Sequence, residues 1–452
     1  MADERKLAEK IATEVRRAGG RTFYVGGYVR DKMLGIETKD FDIEVHGVSV
    51  ETLEEILDNT GERLEFGKSF GVYNIKGSSV DIAMPRKEEC IGNRHTDFKV
   101  DIDPFCGTEK AAERRDFTIN AIMEDVLTGE VIDHFGGRRD IERKLIRHVN
   151  DTSFAEDPLR VLRAAQFASR FEFEIDEKTE KLCSSMDIAS VSSERVFEEL
   201  KKALLKAERP SLFFEKLLRI KKLSDWFPEV ERLTGVEQNP KYHSEGNVYI
   251  HTMMVLDEAA KRRELVENKL GFMLAALTHD FGKAVTTEFR DGALHSYRHE
   301  KEGLPMIEKF LLRLTRDKKL IKYVINLAEN HMRPNALAAF KSSVKATNKM
   351  FDDSCEPIAL IHLAQADSFG CVPEERTPSS EPFLIERLDE YNRCMSKPYV
   401  KGEDLIAAGL PSSRDFSEIL AYTHKLRLSG VEKDAALKQA LAYSNEIKRQ
   451  RG

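Results

Sequence analysis

Apolar residues follow two different periods along this chain. Apolar and acidic residues alternate in residues 40–45, and Val80 and Ile82 lie on either side of Asp81 in residues 79–84. Both patterns predict strands that are buried on one face. Helical spacing of apolar residues governs residues 4–18 and most of the chain after residue 155. We therefore expect a small unit of mixed strands and helices at the start of the chain, followed by helical domains.

A strand, two glycines and a helix follow one another in residues 22–34. The apolar run at residues 22–25 predicts the strand, Gly26 and Gly27 predict the turn, and Arg30 lies in the first turn of the helix. Backbone N–H groups at a helix start, together with a guanidinium, bind phosphate well. The stretch therefore predicts a phosphate site formed by Gly26, Gly27 and Arg30.

Acidic residues lie on one face of the strands that follow. Asp40 and Asp42 are two positions apart, so their Cα atoms are about 6.6 Å apart on the same face of a strand. Residues 71–84 predict a hairpin in which Asp81 points away from the core, towards the first pair. Carboxylates so arranged can share divalent metals, and a metal site beside bound phosphate is what nucleotide transfer from a triphosphate requires.

Residues 114–121 begin with two arginines and an aspartate. Asp116 is predicted to cap a helix that runs to Met123. A carboxylate there can also accept a hydrogen bond from a ribose hydroxyl, which would select ribonucleotides, while Arg115 reaches phosphate. The string that ends at Asn120 resembles the Arg-Arg-Asp-x-Thr-x-Asn motif of the class II nucleotidyltransferases, which comprise the tRNA CCA-adding enzymes and bacterial poly(A) polymerases.

This resemblance covers residues 22–200 and implies Mg²⁺-dependent transfer of a nucleotide. Asp40, Asp42 and Asp81 match the catalytic carboxylates of the family, which bind Mg²⁺ in a two-metal mechanism. The residues that the resemblance places against the nucleotide in this part of the chain are Gly26, Gly27, Arg30, Arg115, Asp116 and Asn120.

A helix beginning near residue 155 carries candidates for base recognition. Asp157 and Arg160 share one stripe of this helix, with Arg163 beside it. Cytosine and adenine both present an amino donor next to a ring-nitrogen acceptor, which a neighbouring carboxylate and guanidinium match; uracil and guanine do not. The run is similar to the family's Glu-Asp-x-x-Arg motif, in which these residues replace a nucleic-acid template. Gln166 stands where some relatives carry a further arginine.

Histidines and aspartates recur on helices and at helix ends in the second half. They are residue types that bind divalent metals. Their order looks like the signature of HD metal-dependent phosphohydrolases, including the two extra histidines of binuclear members: His251, His279, Asp280, His299, His331 and Asp367. The resemblance implies a divalent transition metal such as Ni, Mn or Fe, or Mg, and hydrolysis of 2′,3′-cyclic phosphates, 2′-phosphates or related phosphodiesters.

Composition and charge further limit the kinds of protein that this chain can be. The formal net charge is −7, so RNA contacts must come from local basic faces, such as those in residues 201–222 and 448–451. The six cysteines are scattered, which argues against a disulfide framework or a zinc knuckle. There is no apolar run near the roughly 20 residues of a membrane span and no signal-peptide core, so we expect a cytoplasmic protein without a membrane partner.

The sequence thus predicts an α+β fold in four parts. These are a palm-like, mixed-sheet nucleotidyltransferase head (1–145), an all-α neck that selects the base and binds RNA (146–235), a helical HD domain (236–370) and a helical tail that contacts the tRNA body (383–452). The expected activity is template-independent addition or repair of the 3′-terminal CCA of tRNA from CTP and ATP. Poly(A) addition, partial addition of A or CC, a phosphohydrolase with a nucleotide-sensing head and a tRNA-binding scaffold are the alternatives; oligomeric state is left open.

Overall fold

The structure is a computed structural model that describes residues 2–38, 41–65, 71–90, 98–372 and 378–451. The chain forms two compact units. The first consists of Met1–Glu199 with Leu212–Lys222, and the second of Leu200–Ser211 with Leu223–Gly452. The first unit carries a mixed sheet, whereas the second is mostly helical.

The strands of the first unit agree with the predicted pattern at residues 22–25, 41–45, 72–75 and 80–83. In chain order the strands are β1 (Arg21–Val25), β2 (Phe41–His46), β3 (Arg63–Glu65), β4 (Val72–Ile75), β5 (Val80–Ala83), β6 (Arg86–Cys90), β7 (Phe98–Ile102), β8 (Met123–Asp125), β9 (Val131–Ile132), β10 (Leu145–Ile146) and β11 (Glu174–Ile175). Seven of them form one sheet in the order β3-β4-β5-β2-β1-β8-β9. The β2–β5 pair is parallel and the other neighbours in this sheet are antiparallel.

The helices of the first unit cover the sheet and continue the chain beyond it. They are α1 (Ala2–Arg17), α2 (Gly27–Met33), α3 (Val50–Asp58), α4 (Thr108–Glu113), α5 (Gly137–Glu142), α6 (Asp151–Ala155), α7 (Leu159–Phe171) and α8 (Glu177–Ser185), while α9 (Ser193–Lys206) and α10 (Ser211–Arg219) have residues in both units. Apolar residues of α1 and α3 pack with the inward-facing residues of β2 and β5 in one buried cluster. The alternation that predicted the strands is therefore the pattern of this core.

One prediction in the first unit is wrong in detail. The expected helix from Asp116 to Met123 is only one 3₁₀ turn, Thr118–Asn120, because Met123 already belongs to β8 and pairs with Val25 on β1. The polar stretch at residues 86–104 contains the antiparallel pair β6–β7, and residues 91–97 lie outside the described residues.

The second unit is built from short and medium-length helices. They are α11 (Leu223–Trp226), α12 (Pro228–Arg232), α13 (Val248–Ala260), α14 (Lys269–Thr278), α15 (Lys283–Thr286), α16 (His299–Glu302), α17 (Leu304–Leu314), α18 (Lys318–Asn330), α19 (Met332–Ala339), α20 (Val344–Asp353), α21 (Pro357–Phe369), α22 (Glu381–Ser396), α23 (Gly402–Ala407), α24 (Phe416–Leu428) and α25 (Lys433–Arg451). Leu233–Gly235 and Arg263–Leu265 are 3₁₀ turns. Within the described ranges, no helix combines the length and apolar character needed to cross a membrane.

Four helices form the centre of the second unit. α13, α14, α18 and α21 pack on one another, and nearly all residues of α14 are buried. A hairpin that the sequence did not predict, β12 (Thr287–Arg290) and β13 (Ala293–Ser296), lies between α15 and α16. Within the predicted helical tail, α24 and α25 share a small buried cluster with α23.

Candidate active sites

Two of the predicted catalytic carboxylates lie side by side in the sheet. Asp42 on β2 and Asp81 on β5 are Cα partners of the parallel pair, so they sit on neighbouring strands about 4.8 Å apart. Asp42 is half-buried and Asp81 is exposed. Asp81 Oδ1 accepts a hydrogen bond from Asn74 Nδ2 at 3.1 Å. Asp40, the third member of the predicted set, lies outside the described residues.

Gly26 brings the backbone close to this carboxylate pair. It has φ +62°, a conformation that favours glycine, and a Cβ placed on it would lie 3.3 Å from Arg115 Nη1 and 3.9 Å from Asp42 Oδ2. Gly27 follows at the start of α2. Gly26, Arg115 and Asp42 therefore border one space next to the sheet. Binding of a nucleotide beside the carboxylate pair requires such a space.

Arg115 is held in place by a buried acid that the sequence interpretation missed. Its Nη2 donates to Glu44 Oε2 at 2.8 Å, and His46 Nε2 lies 2.8 Å from Glu44 Oε1. Burial alone would raise the pKa of Glu44, but Arg115 and His46 outweigh it and lower that pKa. Glu44 lies two residues after Asp42 on the same strand face, so the alternation of β2 contained the signal for it.

The Arg30 guanidinium has protein partners on every side that the structure describes. It is buried, donates to Asp31 Oδ1 at 2.6 and 2.8 Å and to Asn120 Oδ1 at 2.6 Å, and lies about 5 Å from the ring centroids of Phe167 and Phe171. Direct binding of phosphate by Arg30 stays a prediction. The aromatic rings come from α7, far along the chain, so the local motif could not indicate this burial.

Asp116 and Asn120 belong to the same buried network. Asp116 Oδ1 accepts from Asn120 Nδ2 at 2.9 Å and from the N–H of Phe117 at 2.7 Å, and its Oδ2 accepts from Arg163 at 2.8 and 2.6 Å. Burial would raise the pKa of Asp116, but Arg163 and the Asn120 hydrogen bond hold it below the ordinary value. Asp116 therefore joins α7 to the 3₁₀ turn, and its expected bond to a ribose hydroxyl stays a prediction.

The two predicted base-reading side chains are each fixed by other groups. Asp157 Oδ2 accepts from Arg195 Nη2 on α9 at 2.8 Å, while its Oδ1 accepts from the N–H of Leu159 at the start of α7. Arg160 donates to the carbonyl oxygens of Ser153 and Arg114 at 2.6 and 3.0 Å. The rotamers of Asp157 and Arg160 are thus set by the protein, as recognition of a base edge needs.

Gln166 lies on the same helix, where the sequence departs from some relatives. Its side chain is buried and its Nε2 finds no hydrogen-bond partner among the described residues. The basic residues near position 216 are also partly neutralised, since Lys216 and Arg219 both pair with Glu174. That part of the predicted basic face is therefore less available to RNA than its sequence indicated.

In the second unit, all six predicted metal ligands converge. They come from five separate helices or their ends: His251 from α13, His279 and Asp280 from the end of α14, His299 from α16, His331 from the junction of α18 and α19, and Asp367 from α21. The groups His251–His279–Asp367 and His279–Asp280–His331 each place their ligand atoms within 4.8 Å of one another. Sequence alone could not establish this convergence.

Asp280 stands between two sets of histidines. Its Oδ2 lies 3.3 Å from His279 Nε2 and 3.5 Å from His251 Nε2. Its Oδ1 lies 3.2 Å from His299 Nε2 and 3.9 Å from His331 Nε2. This is the placement of a carboxylate that can bridge two cations.

The donor set fits divalent cations on independent grounds. His279 Nε2 is buried without a hydrogen-bond partner among the described residues, and the Nε2 atoms of His299 and His331 face each other at 3.3 Å. Burial and nearby His279 lower the pKa of His331 to about 3, so this imidazole is neutral near pH 7 and has a lone pair for a metal. Nitrogen lone pairs and carboxylates facing one buried space are explained by metal binding.

Close backbone packing supports this arrangement. A Cβ on Gly282 would lie only 2.0 Å from the carbonyl oxygen of His299, so Gly282 lets the start of α16 approach the end of α14. Lys283 Nζ lies 2.7 Å from Asp280 Oδ2, a contact that the sequence interpretation missed. His243 and Glu245 were also missed, although they precede His251 by only a few residues and gather around its ring.

Three family models match the chain in the order of its predicted parts. They are the Poly A polymerase head domain at residues 22–147, the "Probable RNA and SrmB- binding site of polymerase A" at residues 172–233 and the HD domain at residues 248–371. Fold and sites therefore define a class of protein, a nucleotidyltransferase head followed by an HD domain.

Several curated relatives carry the name multifunctional CCA protein. The one from Actinobacillus pleuropneumoniae serotype 5b (strain L20) is 34% identical over 326 residues, 71% of this chain and 77% of the relative. The one from Hahella chejuensis (strain KCTC 2396) is 32% identical over 426 residues, 91% of this chain and 94% of the relative. The chain belongs to the tRNA nucleotidyltransferase and poly(A) polymerase family, among the members that carry an HD domain.

Solved structures share the fold at low sequence identity. A CCA-adding enzyme with ATP has a TM-score of 0.67 and 20% identity, covering 98% of this chain and 93% of that chain. The Thermotoga maritima CCA-adding enzyme complexed with tRNA has a TM-score of 0.62 and 21% identity, covering 98% and 95%. These likenesses extend the fold assignment to nearly the whole chain.

Proposed function

We propose that this protein is a template-independent tRNA nucleotidyltransferase that adds or repairs the 3′-terminal CCA of tRNA from CTP and ATP and releases pyrophosphate. The observation that carries this proposal is the direct pairing of Asp42 and Asp81 beside Gly26 and Arg115. Its support from relatives is the similarity, over 91% of this chain, to a multifunctional CCA protein.

In the head, carboxylate oxygens are suitable ligands for Mg²⁺. Asp42 and Asp81, with Asp40 predicted beside them, would hold the ions, which when bound activate the 3′-hydroxyl of the RNA and neutralise the triphosphate. Arg115, fixed by Glu44, is placed to bind the triphosphate next to Gly26, where the lack of a side chain leaves room. Orientation and charge are thus the protein's main contributions.

Base choice falls to α7. Asp157 accepts from the amino group of cytosine or adenine, and Arg160 donates to the adjacent ring nitrogen. Arg195 fixes the carboxylate, and backbone carbonyls fix the guanidinium. A rigid pair of this kind rejects uracil and guanine, because their carbonyl oxygens would face Asp157.

We further propose that the HD site hydrolyses phosphate esters at RNA ends. His251, His279, Asp280, His299, His331 and Asp367 would hold Ni, Mn, Fe or Mg ions, which when bound supply an activated water. The six ligands converge in a buried space, which supports this second activity. Asp367 is the most open of the carboxylates there, so substrate is expected to enter on its side.

Primer extension tests the first proposal. tRNA transcripts ending at the discriminator base, after C, or after CC are incubated with protein, Mg²⁺ and one labelled nucleotide at a time. We expect C on the first two transcripts and a single A only after CC. An unbounded A tail would favour a poly(A) polymerase. Addition of A alone, or of CC alone, would favour an enzyme that builds only part of the CCA end. No extension of any transcript would reject nucleotide transfer.

A further inference from the structure

Three histidines of the HD site orient their rings in the same way. Nδ1 of His279 lies 2.8 Å from the carbonyl oxygen of Ala276, Nδ1 of His299 lies 2.8 Å from that of Ser296, and Nδ1 of His331 lies 2.6 Å from that of Ala328. His279 and His331 directly follow the last residues of α14 and α18, where the carbonyl three residues earlier can accept a hydrogen bond, whereas the carbonyl of Ser296 belongs to the last residue of β13. The Nδ1 proton is thereby fixed, and Nε2 is left free to bind metal.

His251 lacks this local solution. It lies inside α13, and the carbonyl of Val248, three residues earlier, already accepts from Thr252 Oγ1. Its ring is fully buried, and its Nε2 faces Asp367 and Asp280 at 3.1 and 3.5 Å. An acceptor for the Nδ1 proton must therefore come from outside its own helix.

Glu245 is the group in that position. Its Oε1 lies 3.2 Å from His251 Nδ1, and only 2% of its side chain is exposed. The carboxylate is itself anchored, because Oε1 lies 2.8 Å from His243 Nδ1 and Oε2 accepts from the N–H of Val372 at 2.9 Å. Hydrogen bonds from Ser244 to the carbonyl of Val372 fix the same segment from its other side.

The anchor at Val372 links Glu245 to a second metal ligand. Val372 follows shortly after α21, the helix that carries Asp367. The short segment 243–245 thus contacts His251 on α13 through the Glu245 side chain. It also forms hydrogen bonds with the backbone of Val372, just beyond α21, through Glu245 and Ser244. A displacement of this segment would change both ligands together.

We propose that Glu245 is a positioning residue of the HD metal centre: it accepts the Nδ1 proton of His251 and so fixes the tautomer and angle at which His251 Nε2 binds metal. The inference rests on the proposed HD function. A carboxylate behind a histidine also makes the imidazole a stronger ligand than a carbonyl does.

The test measures metal binding in full-length protein. Equilibrium dialysis with Mn²⁺ is done on the wild type, Glu245→Ala, Glu245→Gln and Glu258→Ala. Glu258 is a half-buried acid on α13, the helix of His251, and it pairs with Lys261. We expect Glu245→Ala to bind Mn²⁺ about 10- to 100-fold more weakly than the wild type. Glu245→Gln should lose less affinity, because its amide oxygen still accepts the proton. Glu258→Ala should bind Mn²⁺ as the wild type does.

Two further readouts separate this role from a structural one. The melting temperature of metal-free protein should differ little between wild type and Glu245→Gln, and His279→Ala should abolish the Mn²⁺ site altogether. Unchanged affinity in Glu245→Ala, or a drop in metal-free melting temperature that fully accounts for the loss, would overturn the role of Glu245. A wild type with no Mn²⁺ site sensitive to His279→Ala would instead overturn the metal centre itself, and the role of Glu245 with it.

Discussion

Asp42 and Asp81 lie directly opposite each other on adjacent parallel strands, although they are 39 positions apart in the sequence. The pairing of β2 with β5 fixes this relationship, since a slip of one strand by one residue would turn the aspartate of that strand into the core. The same strands place Ile43 and Ile82 in the core. The stability of the sheet and the position of the carboxylates therefore depend on one register.

Asn74 should control how well Asp81 binds metal. It donates to Asp81 Oδ1 and to the carbonyl oxygen of Val80, so Asn74→Ala frees the carboxylate to rotate. We expect the Mg²⁺ concentration for half-maximal nucleotide addition to rise about tenfold, with little change at saturating Mg²⁺. Lys76→Ala, at the end of the same hairpin, is the control, and an equal rise in both variants would contradict the role of Asn74.

Arg195 should matter for the choice of base without touching the base. Arg195→Ala removes the donor that fixes Asp157, so discrimination by kcat/KM against UTP and GTP should fall by about 10- to 100-fold. CTP and ATP incorporation should fall less. Lys181→Ala, on the exposed side of α8, serves as the control. If Arg195→Ala slows all four nucleotides equally, Arg195 has only a structural role.

The ion pair between buried Asp116 and half-buried Arg163 should contribute to stability. Arg163→Met leaves the Asp116 carboxylate with its Asn120 and Phe117 hydrogen bonds but without its ion pair. Removing one partner of a fully buried pair typically costs about 3–5 kcal/mol, so we expect a cost at or below the lower end of that range. Lys76→Met breaks an exposed pair with Glu62 and should cost less than about 1 kcal/mol. Urea unfolding of the two variants, followed by a signal from the first unit, measures this difference.

The pH dependence of this pair has a definite sign. The folded-state pKa of Asp116 is below its unfolded value, so its contribution is fully present above the ordinary aspartate pKa of about 3.9 and is lost as pH falls through the folded-state pKa. In Arg163→Met the pKa of Asp116 should instead rise. The difference in the free energy of unfolding between wild type and Arg163→Met should then shrink as pH falls from neutrality towards 4. A difference that grows would contradict the role of Arg163 in lowering the pKa of Asp116.

Gly282 should be intolerant of a side chain. Gly282→Ala puts a methyl group 2.0 Å from the carbonyl oxygen of His299, so α16 must shift and carry His299 away from Asp280. We expect weaker Mn²⁺ binding and a loss of about 1–3 kcal/mol in stability. Gly235→Ala, where the space around the added methyl is open, should change neither. Equal effects of the two substitutions would show that the close packing is not responsible.

Local pattern predicted the head well because its strands alternate cleanly. The strand at residues 41–45, the hairpin at 71–84 and the helix after Gly26 are confirmed, and they suffice to place Asp42 near Asp81. The helix expected after Asp116 is wrong because pairing with β1 draws Met123 into the sheet. Tertiary pairing overrode a local capping signal there.

The sequence pattern could not predict which side chains from distant elements would contact one another. Arg30 is buried against Phe167 and Phe171 of α7, and no signal near Arg30 in the sequence indicates those rings. The convergence of the HD ligands likewise depends on how five helices pack. Glu245 could have been found earlier, since a histidine inside an apolar helix needs an acceptor for its second ring proton.

The most direct test of nucleotide transfer by the Asp42–Asp81 pair compares Asp42→Asn with His279→Ala on a tRNA transcript that ends at the discriminator base. With CTP, ATP and Mg²⁺, wild type and His279→Ala should add CCA and stop. Asp42→Asn should add nucleotides at least about a hundredfold more slowly. It should still hydrolyse a 2′,3′-cyclic nucleotide in the presence of Mn²⁺, which would also show that the variant is folded. Extension by Asp42→Asn at the wild-type rate would contradict the assignment of nucleotide transfer to this carboxylate pair.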